Sequence, residues 1–451
     1  MKMIKHIVPV DIGKDQWLVI NSLNGLMDKV DLLTFEIIKK WYVLEEVNPE
    51  GEAELALYDS LLTRGYLVNN DQEEANKKGK LVAKLRELHY KNKEKCKHIT
   101  FVMTYNCNFR CHYCFEGESQ TKREVLTPEQ IDSALKLAGD NLESVGLFGG
   151  EPLLPANRKS LEYLISKTKG KIFNITTNGY YLEEFLDLLS QIKISHIMVT
   201  LDGDEYAHNK RRFLTNGKPT YKKIMQGIEK CLDCGIPICI RMNIDNSNME
   251  ESSRFKLKLL DKFATYKELL TFEISPMIEA SYEETTDIMA ELFSSDISYD
   301  SEERKRRNRF LGRFKSVVNS ITMDTQLKPC YSFCSAHNNI LLVDPYNNIY
   351  TCLVAVGKDG VAVGTYHPEI KFKEDSIYTR NIESIPECKE CVYSLLCGGG
   401  CPLKLPSYDD VNKPECSSIY NQLHNIMPRL YRLREMACDA DKKECCISCT
   451  H

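Results

Sequence analysis

The sequence predicts an α/β chain built on a partial (β/α)6 TIM barrel, with a small domain before it and a cysteine-rich extension after it. Three observations predict this. Strand-like runs at residues 99–104, 144–148, 171–176, 196–201, 237–244 and 270–275 alternate with helical patterns such as 128–142 and 221–234, as parallel β/α units do. Residues 1–75 hold no cysteine and read as a hairpin followed by helices. Most of the 19 cysteines gather at metal-ligand spacings, one set after the first barrel strand and a larger set beyond residue 326.

Taken in order, residues 1–75 form the small domain. A strand at 16–20 meets the turn pair Asn24-Gly25; helical periods at 33–41 and 52–62 follow, and Tyr66-Leu67-Val68 returns as a strand. Residues 76–97 continue a charged helical pattern and read as a solvated linker. The barrel spans 98–285, with its active site expected at the C-terminal ends of the strands. A charged helical linker is expected over 286–325, the cysteine-rich extension over 326–420, and a final helix with a cysteine-containing tail over 421–451.

Composition narrows the function classes. The chain of 451 residues is 43% hydrophobic and 27% charged, with a formal charge of −5. That balance fits a globular protein and gives no reason to expect nucleic acid as partner. No apolar run reaches 18 residues, so no membrane span is expected; the first eleven residues lack the apolar core of a signal peptide. An odd number of cysteines at metal-ligand spacings fits a reducing, cytoplasmic setting better than a disulfide scaffold.

Cys107, Cys111 and Cys114 follow the first barrel strand directly. Three thiolates in eight residues suffice to wrap a 4Fe–4S cube with one iron left open, and an open iron accepts the amino and carboxylate groups of a small molecule. The alternative is structural zinc, which ordinarily takes four ligands.

With Gly149-Gly150-Glu151-Pro152 after the second strand, this Cys-x3-Cys-x2-Cys motif resembles the radical S-adenosylmethionine superfamily over residues 98–285. The resemblance implies that Cys107, Cys111 and Cys114 are the catalytic cluster ligands. It implies that the Gly149–Glu151 backbone meets the methionine amino group and that Tyr113 lies against the adenine. Segments ending in Asn178-Gly179 and running from Thr200 through Asp202-Gly203 resemble those that line the ribose and substrate side. His208 and Arg212 resemble an HxxxR element in which Asn209 replaces the usual Asp, leaving Arg212 as ligand contact or ion-pair residue. Arg241 and Asn243 alternate with apolar neighbours and are expected to point into the barrel, where a bound cofactor could satisfy them.

The second set comprises Cys388, Cys391, Cys397, Cys401 and Cys416, with Cys330, Cys334 and Cys352 upstream. Eight thiolates suffice for two four-ligand clusters; two zinc ribbons are the alternative. The pattern resembles the SPASM extension of radical enzymes acting on peptides, with Asn347 at a glycine position. By that resemblance Cys334, Cys352 and Cys401 hold one auxiliary cluster with Cys330 as candidate fourth ligand, and Cys388, Cys391, Cys397 and Cys416 hold the other. Cys231, Cys234 and Cys239 read as ordinary apolar fillers. The tail cysteines Cys438, Cys445, Cys446 and Cys449 stay unassigned.

Residues 1–75 resemble a winged-helix-like peptide-recognition domain, whose strand edge at 25–30 could receive an extended leader peptide. The whole order resembles thioether-forming maturases of the SCIFF, ranthipeptide and sactipeptide type. That implies three 4Fe–4S clusters, S-adenosyl-L-methionine, an external one-electron reductant and a Cys-rich precursor peptide. It also implies an adenosyl radical that takes a hydrogen from the peptide before a cysteine sulfur joins the carbon. An anaerobic sulfatase-type maturase making formylglycine is the rival enzyme; its Asp after the cysteine matching Cys352 is here Leu353. A zinc-bearing peptide-binding protein is the non-catalytic rival.

Overall fold

The computed structural model describes residues 1–93, 96–277, 320–321, 326–337, 340–408 and 410–440. The end of the expected barrel, nearly all of the 286–325 linker and Cys445, Cys446 and Cys449 lie outside the described residues, as does the Cys438 side chain.

Near the N-terminus, β1 (Lys2–Met3) is followed by β2 (Ile7–Gly13), β3 (Gln16–Asn21) and β4 (Met27–Asp31), then α1 (Leu32–Tyr42), α2 (Gly51–Thr63), β5 (Leu67–Val68) and α3 (Asp71–Lys93). Strands β2, β3 and β4 form an antiparallel sheet in that order, and β5 pairs with β1. The first turn is one the sequence reading missed: Lys14 and Asp15 both take positive φ, 54° and 56°, the backbone of a tight hairpin. Val8, Val10 and Ile12 alternate inward before it, which is the signal that could have found it.

The sheet's buried face is not an independent core. Val8, Val10, Leu18 and Ile20 pack with Leu396, Leu423, Met427 and Leu430 from the C-terminal region. Nor is α3 a solvated linker throughout. The His89 ring lies tilted against Tyr331 with ring centres 5.1 Å apart, Arg86 pairs with Glu383, and Glu74 accepts hydrogen bonds from the Lys5 and His6 backbone.

Six parallel strands lie side by side in one sheet, the part expected to form the partial barrel: β6 (His98–Val102), β7 (Ser144–Phe148), β8 (Ile172–Thr177), β9 (Lys193–Thr200), β10 (Ile238–Ile244) and β11 (Leu270–Pro276). Helices α4 (Pro128–Ala138), α5 (Arg158–Lys167), α6 (Leu186–Leu189), α7 (Glu205–Arg211), α8 (Tyr221–Asp233) and α9 (Met249–Lys262) lie between them. On α8 the buried Ile224, Met225, Ile228, Cys231 and Leu232 repeat at helical spacing, the inward stripe of an amphipathic helix. A Thr127–Gln130 capping box starts α4 with Pro128 at its first turn. Gly139 at φ 70° ends it, short of the expected Leu142, because the left-handed residue breaks the ladder.

The extension continues the barrel sheet rather than standing apart. Here β12 (Leu341–Val343) pairs parallel with β6, and β13 (Asn348–Tyr350), β14 (Gly364–Thr365) and β15 (Lys371–Phe372) follow antiparallel, giving ten strands in one sheet. Among the described residues the remaining α-helices are α10 (Ser394–Cys397), α11 (Ser417–Asn421) and α12 (Met427–Ala440). No helix of the described residues is long and apolar enough to cross a membrane.

Candidate functional site

The loop after β6 carries Cys107, Cys111 and Cys114, and the turn after β7 pins it in place. Gly150 N–H donates to Thr104 O at 2.9 Å and Glu151 N–H to Asn106 O at 2.9 Å. A Cβ on Gly149 would lie 2.4 Å from Thr104 O, and one on Gly150 2.3 Å from Tyr105 O. These glycines are therefore required for backbone to lie against the cysteine loop, a reason the sequence reading placed on the ligand.

Glu151 is a buried strut. Its carboxylate accepts from Leu153 N–H (2.9 Å), Thr177 Oγ1 (2.6 Å) and Asn178 N–H (2.7 Å), tying the end of β7 to the end of β8. Complete burial raises its pKa, opposed by these donors. Asn178 Nδ2 reaches Asn108 Oδ1 at 2.8 Å and lies 3.8 Å from Cys107 Sγ, so β8 touches the cysteine loop as well.

On the other side, Tyr113, Thr200, Asp202, Arg212 and Asn243 converge at the ends of β9 and β10. Asp202 accepts from Tyr113 OH and from Asn243 N–H (3.1 Å). Tyr113 OH also accepts from Arg212 Nη1 at 2.8 Å and Asn243 Nδ2 at 3.3 Å. Thr200 is buried at the end of β9. Arg212 is deeply buried, its Nε has no hydrogen-bond partner, and its charge faces the Cys111 thiol. An orphaned guanidinium N–H beside the cysteine loop leaves a donor for an anionic or polar ligand. Neighbouring Arg211 was not foreseen: it pairs with Asp245 at 2.7 Å and sits 5.2 Å from the Tyr113 ring centre. His208 has a structural task. It accepts from Asp202 N–H and meets Thr220 Oγ1 at 3.1 Å, and burial holds its pKa well down. Arg241 reaches Asn243 Oδ1 (3.1 Å) and Ser275 Oγ (3.2 Å), with Glu273 at 3.5 Å, the inward polar row expected for β10.

Burial raises the pKa of all three loop thiols, with Cys114 pushed up to about 11. Cys107 is in the field of both Cys111 and Cys114. Bound iron would reverse that bias, since a coordinating metal deprotonates its thiols. Among the described residues no three ligating side chains close tightly enough to hold a single metal ion.

In the extension, Cys388, Cys391, Cys397 and Cys416 line one cavity of about 120 Å³, walled by Tyr393, Ile419 and Tyr420. Four thiols around one largely apolar space fit a four-ligand cluster. Cys334, Cys352 and Cys401 form a second group: Cys334, pushed up to about 12 by burial, lies in the field of the other two. Cys330, the candidate fourth ligand of that group, donates its N–H to Leu395 O at 2.8 Å, and its thiol also raises the pKa of Cys397. The two groups are joined by Gly398, Gly399 and Gly400, all at positive φ (71°, 89° and 78°). Asn347 at φ 70° takes the conformation its glycine position requires. Cys231 and Cys239 are buried apolar fillers and Cys234 is exposed.

Residues 101–253 match the Radical SAM superfamily. Among curated proteins, the GTP 3′,8-cyclase of Aquifex aeolicus is 27% identical over 56% of this chain and 81% of its own length. The probable GTP 3′,8-cyclase of Archaeoglobus fulgidus is 29% identical over 35% of this chain and 53% of its own length. The sporulation killing factor maturation protein SkfB of Bacillus subtilis is 30% identical over 34% of this chain and 37% of its own. The chain thus spans about half or less of the length of two of these three relatives. Among solved structures, native anSMEcpe with bound AdoMet and the Cp18Cys peptide aligns with a TM-score of 0.57 at 18% identity, covering 76% of this chain and 98% of that one. Streptococcus suis SuiB bound to precursor peptide SuiA aligns at 0.53 and 15% identity, covering 92% of this chain and 99% of that one. The fold is theirs.

Proposed function

From a chain whose residues 101–253 match the Radical SAM superfamily, we propose a radical S-adenosylmethionine enzyme that matures a ribosomally made Cys-rich peptide by forming intramolecular thioether bonds. The observation that carries the reading is the coexistence of three cysteine groups: the loop of Cys107, Cys111 and Cys114, and the two groups of the extension. In this reading Cys107, Cys111 and Cys114 hold a 4Fe–4S cluster with one open iron, and the extension holds two more. When bound, the first cluster supplies the electron that cleaves S-adenosylmethionine to a hydrogen-abstracting radical.

The chain's own residues then bind and orient. Gly150 and Glu151 have their N–H groups engaged with the cysteine loop, so a ligand ammonium would meet carbonyl oxygens there. Arg212 and Asn243 offer donors on the opposite wall; Asp202 holds Tyr113 and the Asn243 backbone in register, and Tyr113 OH in turn accepts from Arg212. The buried ends of β8, β9 and β10 exclude water from the space between.

The peptide partner would enter along the N-terminal sheet. Among the described residues strand β4 pairs only with β3 and forms an edge, able to take an added strand. The edge begins at Met27 rather than Gly25, because Gly25 O already accepts from Leu327 N–H at 2.9 Å. Leu33 at the start of α1, 77% exposed just beyond the end of β4, offers an apolar anchor beside it. A neighbour solved with its precursor peptide covers 92% of this chain, which supports a peptide substrate.

The test is anaerobic incubation with small Cys-rich peptides from the same genomic neighbourhood, S-adenosylmethionine and a one-electron reductant. The expected product is lighter by two hydrogens per crosslink, with cysteines resistant to alkylation. An aldehyde product would instead assign the chain to the formylglycine-forming class, against which Leu353 already speaks.

A further inference from the structure

Arg380 is completely buried in the extension. Its guanidinium donates to four backbone carbonyls: Nε to Val411 (2.7 Å), Nη1 to Gly400 (2.6 Å), and Nη2 to Lys413 (2.7 Å) and Gly399. Among the described residues it forms no ion pair with a carboxylate. A buried cation satisfied only by neutral carbonyls still lacks compensating charge, and such a charge is expensive to keep.

The loop it grips names the missing partner. Gly399 and Gly400 lie between Cys397, a member of one cysteine group, and Cys401, a member of the other. The arginine therefore sits where the two groups meet. Cys388, Cys397 and Cys401 are in its field together with Glu415, and Cys334 and Cys416 feel it in turn. These cysteines come from both groups. As thiols they are neutral, and only as metal-bound thiolates would they balance the guanidinium. Glu415 adds one negative charge to that field, its carboxylate held ionised by Cys401 N–H, Ser418 N–H and Ser417 Oγ, but among the described residues it makes no ion pair with the guanidinium, and it lies on one side of a cation that faces both cysteine groups.

We propose that Arg380 is a fixed positive charge shared by the two auxiliary cysteine groups, setting the reduction potentials of the clusters they hold as a pair. The inference rests on the reading of those groups as iron–sulfur sites. Adding one electron to a cluster, from the external reductant or from the peptide radical, makes it more negative without moving an atom. A nearby buried cation favours that state, and net charge is one of the determinants of cluster potential. Arg380 is thus a positioning residue that touches no substrate and acts through the clusters.

The experiment is an EPR-monitored redox titration of the reconstituted full chain as wild type, Arg380→Met and Arg380→Lys, with iron counted in each. In Arg380→Met the equilibrium constant for reducing each auxiliary cluster is expected to fall about tenfold, ~59 mV for a one-electron couple. The cluster of Cys107, Cys111 and Cys114 should titrate as in wild type. Arg380→Lys should stay within about threefold of wild type. Unmoved auxiliary potentials in Arg380→Met, or a shift in one cluster alone, would overturn the proposal. Should Arg380→Met fail to take up iron, Arg380→Lys decides: wild-type potentials support a role for charge, and a tenfold fall refutes it. Wild-type protein without auxiliary iron would overturn the reading underneath, before any variant is compared.

Discussion

The cysteine loop of the barrel and the cysteine field of the extension fix thiols by different means. In the barrel, sheet geometry does the placing: three cysteines follow one strand, and a carboxylate strut between β7 and β8 holds the wall beside them. In the extension the regular elements are short, and three left-handed glycines and one buried arginine hold the ligands. Where regular structure places a site, sequence spacing nearly suffices to find it. Where irregular backbone places it, the supports come from far along the chain.

The strongest way to break this comparison is Glu151→Ala. It leaves Thr177 Oγ1, Asn178 N–H and Leu153 N–H without their buried acceptor, and should cost about 3–5 kcal/mol, read by urea unfolding. A cost under about 1 kcal/mol would remove the strut from the account. Gly400→Ala tests the other region. Its Cβ would lie 1.8 Å from Glu415 O at φ 78°, and a loss of about 2–4 kcal/mol with depleted auxiliary iron is expected. Thermal unfolding with metal analysis checks both.

Acid should find the contact between α3 and the extension. Burial lowers the His89 pKa from 6.5 to about 4, so the unfolded chain binds the proton more readily over that window. Stability from neutral His89 is complete above about pH 6.5 and is lost as pH falls toward 4. Between pH 7 and pH 5, wild type should lose roughly 1–2 kcal/mol more than His89→Gln, measured by denaturant titration at both pH values. An equal loss in the two proteins would place the acid sensitivity elsewhere. The smallest effect is the control, Gly170→Ala. Its φ is 80° with nothing near a new Cβ, so only backbone strain of about 1 kcal/mol is expected. A penalty matching that of Gly400→Ala would show that crowding plays no part at Gly400.

Much of the barrel was legible. All six strands fall within a few residues of their expected places, because short runs rich in β-branched and aromatic residues between helical patterns mark them. The cysteines were singled out by their spacing, and Asp202 and Arg212 by the resemblance of the segments that follow the fourth strand. What was not legible depends on distant partners. Nothing local in Leu341–Val343 says it joins β6, and nothing in Val8–Ile12 says it shares a core with Leu423 and Leu430. Arg211 was passed over because only the fold brings Asp245 and the Tyr113 ring to it. Arg380 carries no motif at all; its role appears only once four carbonyls from 399–413 surround it.

The central claim is tested most directly by counting iron in anaerobically reconstituted wild type and in a Cys107→Ala, Cys111→Ala, Cys114→Ala variant. The account predicts about twelve iron atoms per chain against about eight, with 5′-deoxyadenosine released from S-adenosylmethionine by the wild type alone. Equal iron in both proteins, or zinc in place of iron at the three loop cysteines, would contradict it.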